Sequence, residues 1–491
     1  MNGNLFKIMV IIGASSFVPM ISFAQTDDFK SQYEAFKQQV KKEYVDFRAK
    51  CNAEYAEFMK KAWKEYKTLP AIPRPKDETV PPTVFHKGNE DKPIKDKEIT
   101  IRNIVEPVSP APQPLPVSPI YENKEDENEN FTFQYCGTDC TIRIPKSLNI
   151  NIEKCDNGEL ADAWNVLSEN KLNNTIRDFL ELRIKLQLCD WAYLNVIDTF
   201  AKNCYGQGNK ATIVAAYIYC QSGYKMRLGR NGDKLYLLFG TKHGIYDMSY
   251  LVIDGITYYP LETNVSKMEI CDYTFPKEQS LSLYIPENQL FAYQATPVRT
   301  LSSKKYKDMS VNVQVNKNLI DFYNTYPTSE IDNDFMTRWA MYANTPMEQE
   351  VREQLYPVLK EKIVGLNELD AANKILNWVQ TAFEYEYDDK VWGHDRAFFA
   401  EETLFYPYCD CEDRAIFFTR LVRDLLGLKC ILVFYPGHLA SAVHFNQQSN
   451  GDYISLNGDK FVICDPTFIG APVGLTMIGM DNETANVILL K

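Results

Sequence analysis

The sequence predicts an α+β protein with two globular halves, and three observations carry that reading. With 491 residues, 45% of them hydrophobic and 24% charged, the chain is long enough for more than one core. In each half a helical stretch precedes a cluster of short β-like runs. Twelve of the 25 prolines fall between Pro70 and Pro119, ahead of both halves. A net charge of −12, with no basic stripe to offset it, argues against nucleic acid as a partner.

Taken in order, residues 1–24 read as an export signal. In "MNGNLFKIMVIIGASSFVPMISFAQTDD", Lys7 supplies the positive end and Ile8 to Phe23 the apolar run. Ser22 and Ala24 place small residues at −3 and −1, so the mature chain is expected to be periplasmic or secreted. Residues 25–69 predict an amphipathic helix. Its apolar positions, Phe29, Tyr33, Phe36, Val40, Tyr44, Phe47, Cys51, Tyr55, Phe58, Ala62 and Tyr66, recur in steps of four, three and four. Such a stripe fits the protein's own body, a second copy or an envelope partner, and leaves the oligomeric state open. Residues 70–130, proline-rich and then acidic ("YENKEDENEN"), read as an extended spacer separable from the globular halves. Globular sequence resumes at Phe131, and a boundary near Tyr293–Ser310 divides it into 131–293 and 294–491. Of the twelve cysteines, Cys136 with Cys140 or Cys189 with Cys204 are candidate disulfides in an oxidising compartment, and buried free thiols are the alternative.

The stretch with chemical content is "YPYCDCEDRAIFFTRLVRDLLGLKCILVFYPGHLASAVHF". After Cys411 the apolar positions suit a buried helix ending at Gly427. A thiol at a helix start is favoured as thiolate by the dipole, while Glu412 and Asp413 work against it, so a base is needed. His438 opens a strand after a Pro-Gly turn, and Asp465 closes a later strand, "KFVIC", just before Pro466. A thiol, an imidazole and a carboxylate brought together form a nucleophile, its base and the group that orients the base. Cys409 is a second candidate nucleophile and His444 a second candidate base. A metal module built from Cys409, Cys411, His438, His444 and Cys464 is the competing chemistry, although the spacing lacks paired C-x-x-C ligands.

At "CEDRA", "GHLASAV" and "CDPTF" the sequence resembles the transglutaminase-like (papain-like) superfamily, with "ILNWVQTAFEYEYDD" (Ile375–Asp389) resembling the helix that precedes the nucleophile. The resemblance covers roughly the last 140 residues and rests on three blocks in the family's order. It implies a papain-like fold and a thiol enzyme acting on a protein or peptide amide through an acyl-enzyme. Cys411 is then the nucleophile, His438 the base and Asp465 its partner, with no cofactor and no metal. The strand "LASAV" departs from the aromatic pair common in the family. The Cys411 N–H, Gln380 and Trp392 are candidate oxyanion donors. A non-catalytic envelope scaffold on the same fold is the alternative function.

Residues 131–293 are expected to be a degenerate copy of that fold. Aligned at a shift of 204 residues, Gly223 falls under Gly427, and one residue is later skipped. Gln207, Lys234 and Glu262 then replace Cys411, His438 and Asp465, so the first copy is expected to be inert.

Overall fold

Alternating apolar residues on short strands require a covered sheet, and the chain builds two of them. The computed structural model describes residues 24–76, 80–86, 94–107, 109, 111–124, 127–169, 171–262, 265–480 and 485–491, with side chains described from residue 31 onward. The expected export signal therefore lies outside the described residues, apart from its last position, Ala24. With about 35% helix and 25% strand the protein is α+β. Among the described residues, no helix is long and apolar enough to cross a membrane.

The first sheet runs in the order Leu251–Ile253, Ile256–Pro260, Lys234–Thr241, Met226–Asn231, Lys267–Cys271. The second runs Asp452–Leu456, Asp459–Cys464, His438–His444, Lys429–Tyr435, Asn486–Leu489. Every neighbouring pair in both series is antiparallel. The two orders are the same strand for strand, and so is the register. Tyr435 faces His438 across a two-residue turn, and Asn231 faces Lys234 in the same way. Leu456 faces Asp459 around Asn457-Gly458, as Ile253 faces Ile256 around Asp254-Gly255. Both of those turns place two residues at positive φ, which is why Asn-Gly and Asp-Gly are found there. Ala442 pairs with Ile463 as Leu238 pairs with Pro260.

Period-two alternation puts matching positions into matching cores. Tyr236, Leu238, Leu251, Ile253, Tyr258 and Met268 cover one face of the first sheet. Ala440, Ala442, Ile454, Phe461, Ile463 and Val487 cover the corresponding face of the second. Each large apolar side chain so buried contributes roughly 1.5–3 kcal/mol. A helix precedes each series: Asn209–Gln221 before the first and Cys411–Leu426 before the second. The helices end alike, with Gly223 at φ 95° and Gly427 at φ 68°. A Cβ at Gly223 would lie 2.0 Å from the Leu115 carbonyl oxygen, so that position excludes any other residue.

Three expectations need correction. The N-terminal helix spans Ala24–Met59 and does not reach residue 69; Tyr66 instead lies in a strand, Lys64–Lys67, antiparallel to Lys267–Cys271. The proline-rich segment is extended, as its prolines require, yet it is no separable spacer. Lys97–Glu98 pairs with Asp452–Leu456 and Asn103–Val105 with Asn486–Leu489, both parallel, at opposite edges of the second sheet. Edge strands of two or three residues satisfy the outer backbone groups of the sheet without leaving a periodic pattern. Finally, Asn52–Lys491 forms one compact unit and Met1–Cys51 another, so the expected boundary near Tyr293–Ser310 does not separate two bodies. Within the first unit, Tyr33, Phe36, Tyr44 and Phe47 are exposed. All twelve cysteines carry thiols and none forms a disulfide among the described residues, Cys136, Cys140, Cys189 and Cys204 included.

Candidate functional site

Cys411 is the first residue of the helix Cys411–Leu426, and the local sequence explains why the helix begins there. The Asp410 side chain accepts from Glu412 N at 3.1 Å and from Asp413 N, while the Asp413 carboxylate accepts from Asp410 N at 3.1 Å. This reciprocal cap uses helix-start donors and seats the thiol at the positive end of the dipole. Gly427 ends the helix in the left-handed conformation.

His438 is the first residue of its strand and Asp465 follows the last residue of the neighbouring one. Their side chains meet: His438 Nε2 lies 2.9 Å from Asp465 Oδ2, and both residues are buried to within 1% exposure. The other Asp465 oxygen accepts from Thr467 N at 2.8 Å and Phe468 N at 3.1 Å. An ionised carboxylate can only accept, so Nε2 carries the proton and Nδ1 has the lone pair. Nδ1 meets no hydrogen-bond partner among the described residues. Cys411 and His438 line one cavity of about 330 Å³, together with Glu412, Arg338, Trp339 and Phe434.

The small strand "LASAV" has a packing reason. Ser441 donates to Ala415 O at 3.2 Å and lies 3.2 Å from the Thr419 hydroxyl, so the helix sits directly on that face. Ala440 and Ala442 point to the opposite core, among Val433, Tyr435 and Ile463. Aromatic residues would push the helix away from the sheet.

The acidic pair behind the thiol is less hostile than its composition suggests. Burial, with the charges of Asp410 and Glu412, pushes Asp413 well above the usual carboxylate range. Burial, with Asp413 and Glu412 nearby, pushes Asp388 up to about 10. Burial thus disfavours the charged form of both, and Asp388 holds its proton near neutral pH. Glu412 is met by Arg338 Nη2 at 3.4 Å and by Trp339 Nε1 at 2.5 Å. Arg338 also forms a two-bond ion pair with Asp395. The sequence reading missed Arg338, Trp339 and Asp395. Their signal was a lone arginine in an otherwise apolar helix, Thr337–Asn344.

Other candidates fall elsewhere. Cys409 lies in a two-strand pairing with Glu384–Tyr385, its Sγ 3.8 Å from Glu384 O, and burial pushes its thiol up to about 11. His444 ends the strand with Nδ1 3.1 Å from Lys460 O. The five proposed metal ligands do not converge. Among the described residues, the ligand atoms that do are those of Asp388, Asp395 and Glu412, with Arg338 paired to the last two. Gln380 is spent on structure. Its Nε2 donates to Asp465 O, Phe468 O and Ala471 O at 2.8–3.0 Å, and its Oε1 accepts from Gly470 N at 3.0 Å. It fastens the loop after Asp465 to the helix Glu368–Ala382, and is corrected from oxyanion donor to staple. Trp392 packs against Arg396, Phe398 and Tyr406, away from the cavity.

In the first sheet, Lys234 and Glu262 hold the register positions of His438 and Asp465, and they pair with each other, Lys234 Nζ lying 3.5 Å from Glu262 Oε2. Lys202 also pairs with Glu262. Gln207 does not match Cys411. The helix begins at Asn209, after an N-cap Gly208 with no side chain, and Gln207 is exposed in the turn ahead of it. No family model matches the chain, and neither does any curated protein or solved structure.

Proposed function

We propose that the protein is an exported thiol enzyme of transglutaminase-like type, cleaving or transferring an amide acyl group through Cys411. Residues 294–491 would be the papain-like catalytic copy and 131–293 its degenerate counterpart. One observation carries the reading. A buried imidazole, held by Asp465 at Nε2 and with Nδ1 meeting no hydrogen-bond partner among the described residues, belongs to a residue that lines the same cavity as Cys411. His438 Nδ1 takes the thiol proton, and the thiolate attacks the amide carbonyl carbon. The tetrahedral intermediate collapses to a thioester as the amine leaves with the proton from Nδ1. Water, or a second amine, gives a proton back to Nδ1 and displaces the thiolate. The Cys411 N–H, at the helix start, remains the natural donor to the oxyanion.

Peptide mapping after brief iodoacetamide treatment near neutral pH tests the assignment. Cys411 should be alkylated ahead of the other cysteines, and His438→Ala should slow it. Labelling dominated by Cys409, or indifferent to His438, would overturn it.

A further inference from the structure

The cavity has a wall that belongs to the proline-rich segment. Pro75 and Lys76 line it together with Cys411 and His438. On one side of them, Arg74 Nε pairs with Asp247 Oδ2 at 2.5 Å, and Nη1 donates to Asp395 O at 3.0 Å. On the other side, Val80 N donates to Gly437 O at 2.9 Å, one residue before the candidate base. Beyond it, Ile469 N donates to Thr83 O and Phe85 N to Ile469 O, each at 2.8 Å, in a parallel bridge beside the loop after Asp465. Val80 and Phe85 pack on Phe468, with the two Phe rings 5.7 Å apart. Residues 80–85 thus meet the residues flanking both His438 and Asp465, mainly through backbone hydrogen bonds, while Pro75 and Lys76 line the cavity and Ile72 and Arg74 are held at Asp247 and Asp395.

None of residues 72–76 or 80–86 is buried, so lifting them exposes little core. The chain on either side is firmly held, by the strand Lys64–Lys67 and by Ile99, which is 2% exposed in the core of the second sheet. A weakly seated stretch tethered at both ends occupies its groove at high effective concentration, yet opens locally.

Resting on the proposed function, we infer that this groove is the binding site for an extended polypeptide substrate, and that the chain's own residues 80–85, with Pro75 and Lys76, occupy it as a strap and keep the protein latent. The Gly437 carbonyl and both backbone groups of Ile469 are partners that any extended main chain can use, whatever its side chains. Prolines at 73, 75, 81 and 82 favour an extended strap and leave it few amide donors, so it fills the groove with little ordering cost.

The test uses the full chain and an Arg74→Ala/Val80→Pro variant, which removes the ion pair and the bond to Gly437. Cys411 labelling is followed with iodoacetamide and with a hexapeptide chloromethyl ketone. Iodoacetamide should label both chains at similar rates. The peptide reagent should label the variant at least about tenfold faster, tenfold being the size of losing a single charge-assisted hydrogen bond. Arg74→Ala alone should move the rate the same way by less. Equal peptide-reagent rates in parent and variant would overturn the inference while leaving the thiol chemistry standing. A second readout needs no chemistry. A fluorescent peptide of sequence IPRPKDETVPPTVF should bind the variant and not the parent by anisotropy. Binding to both alike, or to neither, counts against the strap even if Cys411 proves unreactive.

Discussion

His438–Asp465 and Lys234–Glu262 stand at the same register in two sheets of one strand order, yet only the first pair is sealed from water. The His438 and Asp465 side chains are 0% and 1% exposed, against 53% and 42% for Lys234 and Glu262. The difference teaches that strand order places a pair but does not equip it. The second sheet adds a capped helix that delivers a thiol, and a cavity wall of Trp339 and Phe434. The first adds Lys202, which turns Glu262 into part of a surface ion-pair cluster.

The sharpest way to break that comparison is through turnover. On an amide substrate, Cys411→Ala and His438→Ala should each lower the rate by at least about a thousandfold, as losses from a nucleophile–base pair do. Lys234→Ala, at the matching place, should leave it within about twofold, since a surface cation far from the chemistry contributes no transition-state interaction. A large loss from Lys234→Ala would mean that the first sheet takes part in the chemistry.

Stability should separate the partners next. Asp465→Ala strands three buried donors, from His438, Thr467 and Phe468, and should cost about 2–4 kcal/mol in urea unfolding. Glu262→Ala removes a largely exposed ion pair and should stay within about 0.5 kcal/mol. Equal costs would show that the first pair is more sheltered than its exposure indicates.

How much of the fold and site was legible depends on which interactions are local. Asp410, Asp413 and Gly427 act on their own helix ends, so the start at Cys411 could be read from the sequence. The two-residue turns set the register that places Lys234 and Glu262, and turn residues are visible in sequence. Gln207 was misread because a shift of 204 residues assumes equal helix starts, whereas the glycines at 206 and 208 delay the first helix to Asn209. Gln380 was misread because an amide's partners are set by tertiary placement, here a loop 85 or more residues away. The seating of Val80, Phe85, Lys97–Glu98 and Asn103–Val105 on or beside the second sheet rests on backbone groups, which no side-chain pattern announces.

Acidity should pull the two regions in opposite directions. Burial raises Asp388 to about 10, so its protonated form contributes stability that is full below the unfolded value and lost as pH rises towards 10. Asp388→Asn copies the neutral form and can still accept from Arg396 N. It should match the parent at pH 4 and exceed it by roughly 1 kcal/mol or more at pH 8. In the first region, burial lowers His243 to about 4, so stability present above the unfolded value is lost as pH falls from about 6.5. Hydrogen exchange at pH 5 should therefore accelerate first around His243, whose Nε2 accepts from Leu283 N. Faster exchange around Asp388 at the same pH would reverse the assignment.

The smallest effect expected is from rebuilding the first site. In a Cys411→Ala background, Gln207→Cys, Lys234→His and Glu262→Asp would write the three residue types at the matched positions. No turnover should appear, and the new thiol should alkylate at the rate of an ordinary exposed cysteine. The reason is geometric as well as electrostatic. Residue 207 lies two positions ahead of Asn209, outside the helix start that would favour a thiolate, and Gly208 carries no side chain to cap that start. A histidine at 234 would sit where Lys234 is half exposed, so water would screen its interaction with an aspartate at 262. Measurable amide turnover from this variant would mean that strand order and register alone suffice, and that the buried setting of the second pair is incidental to its chemistry.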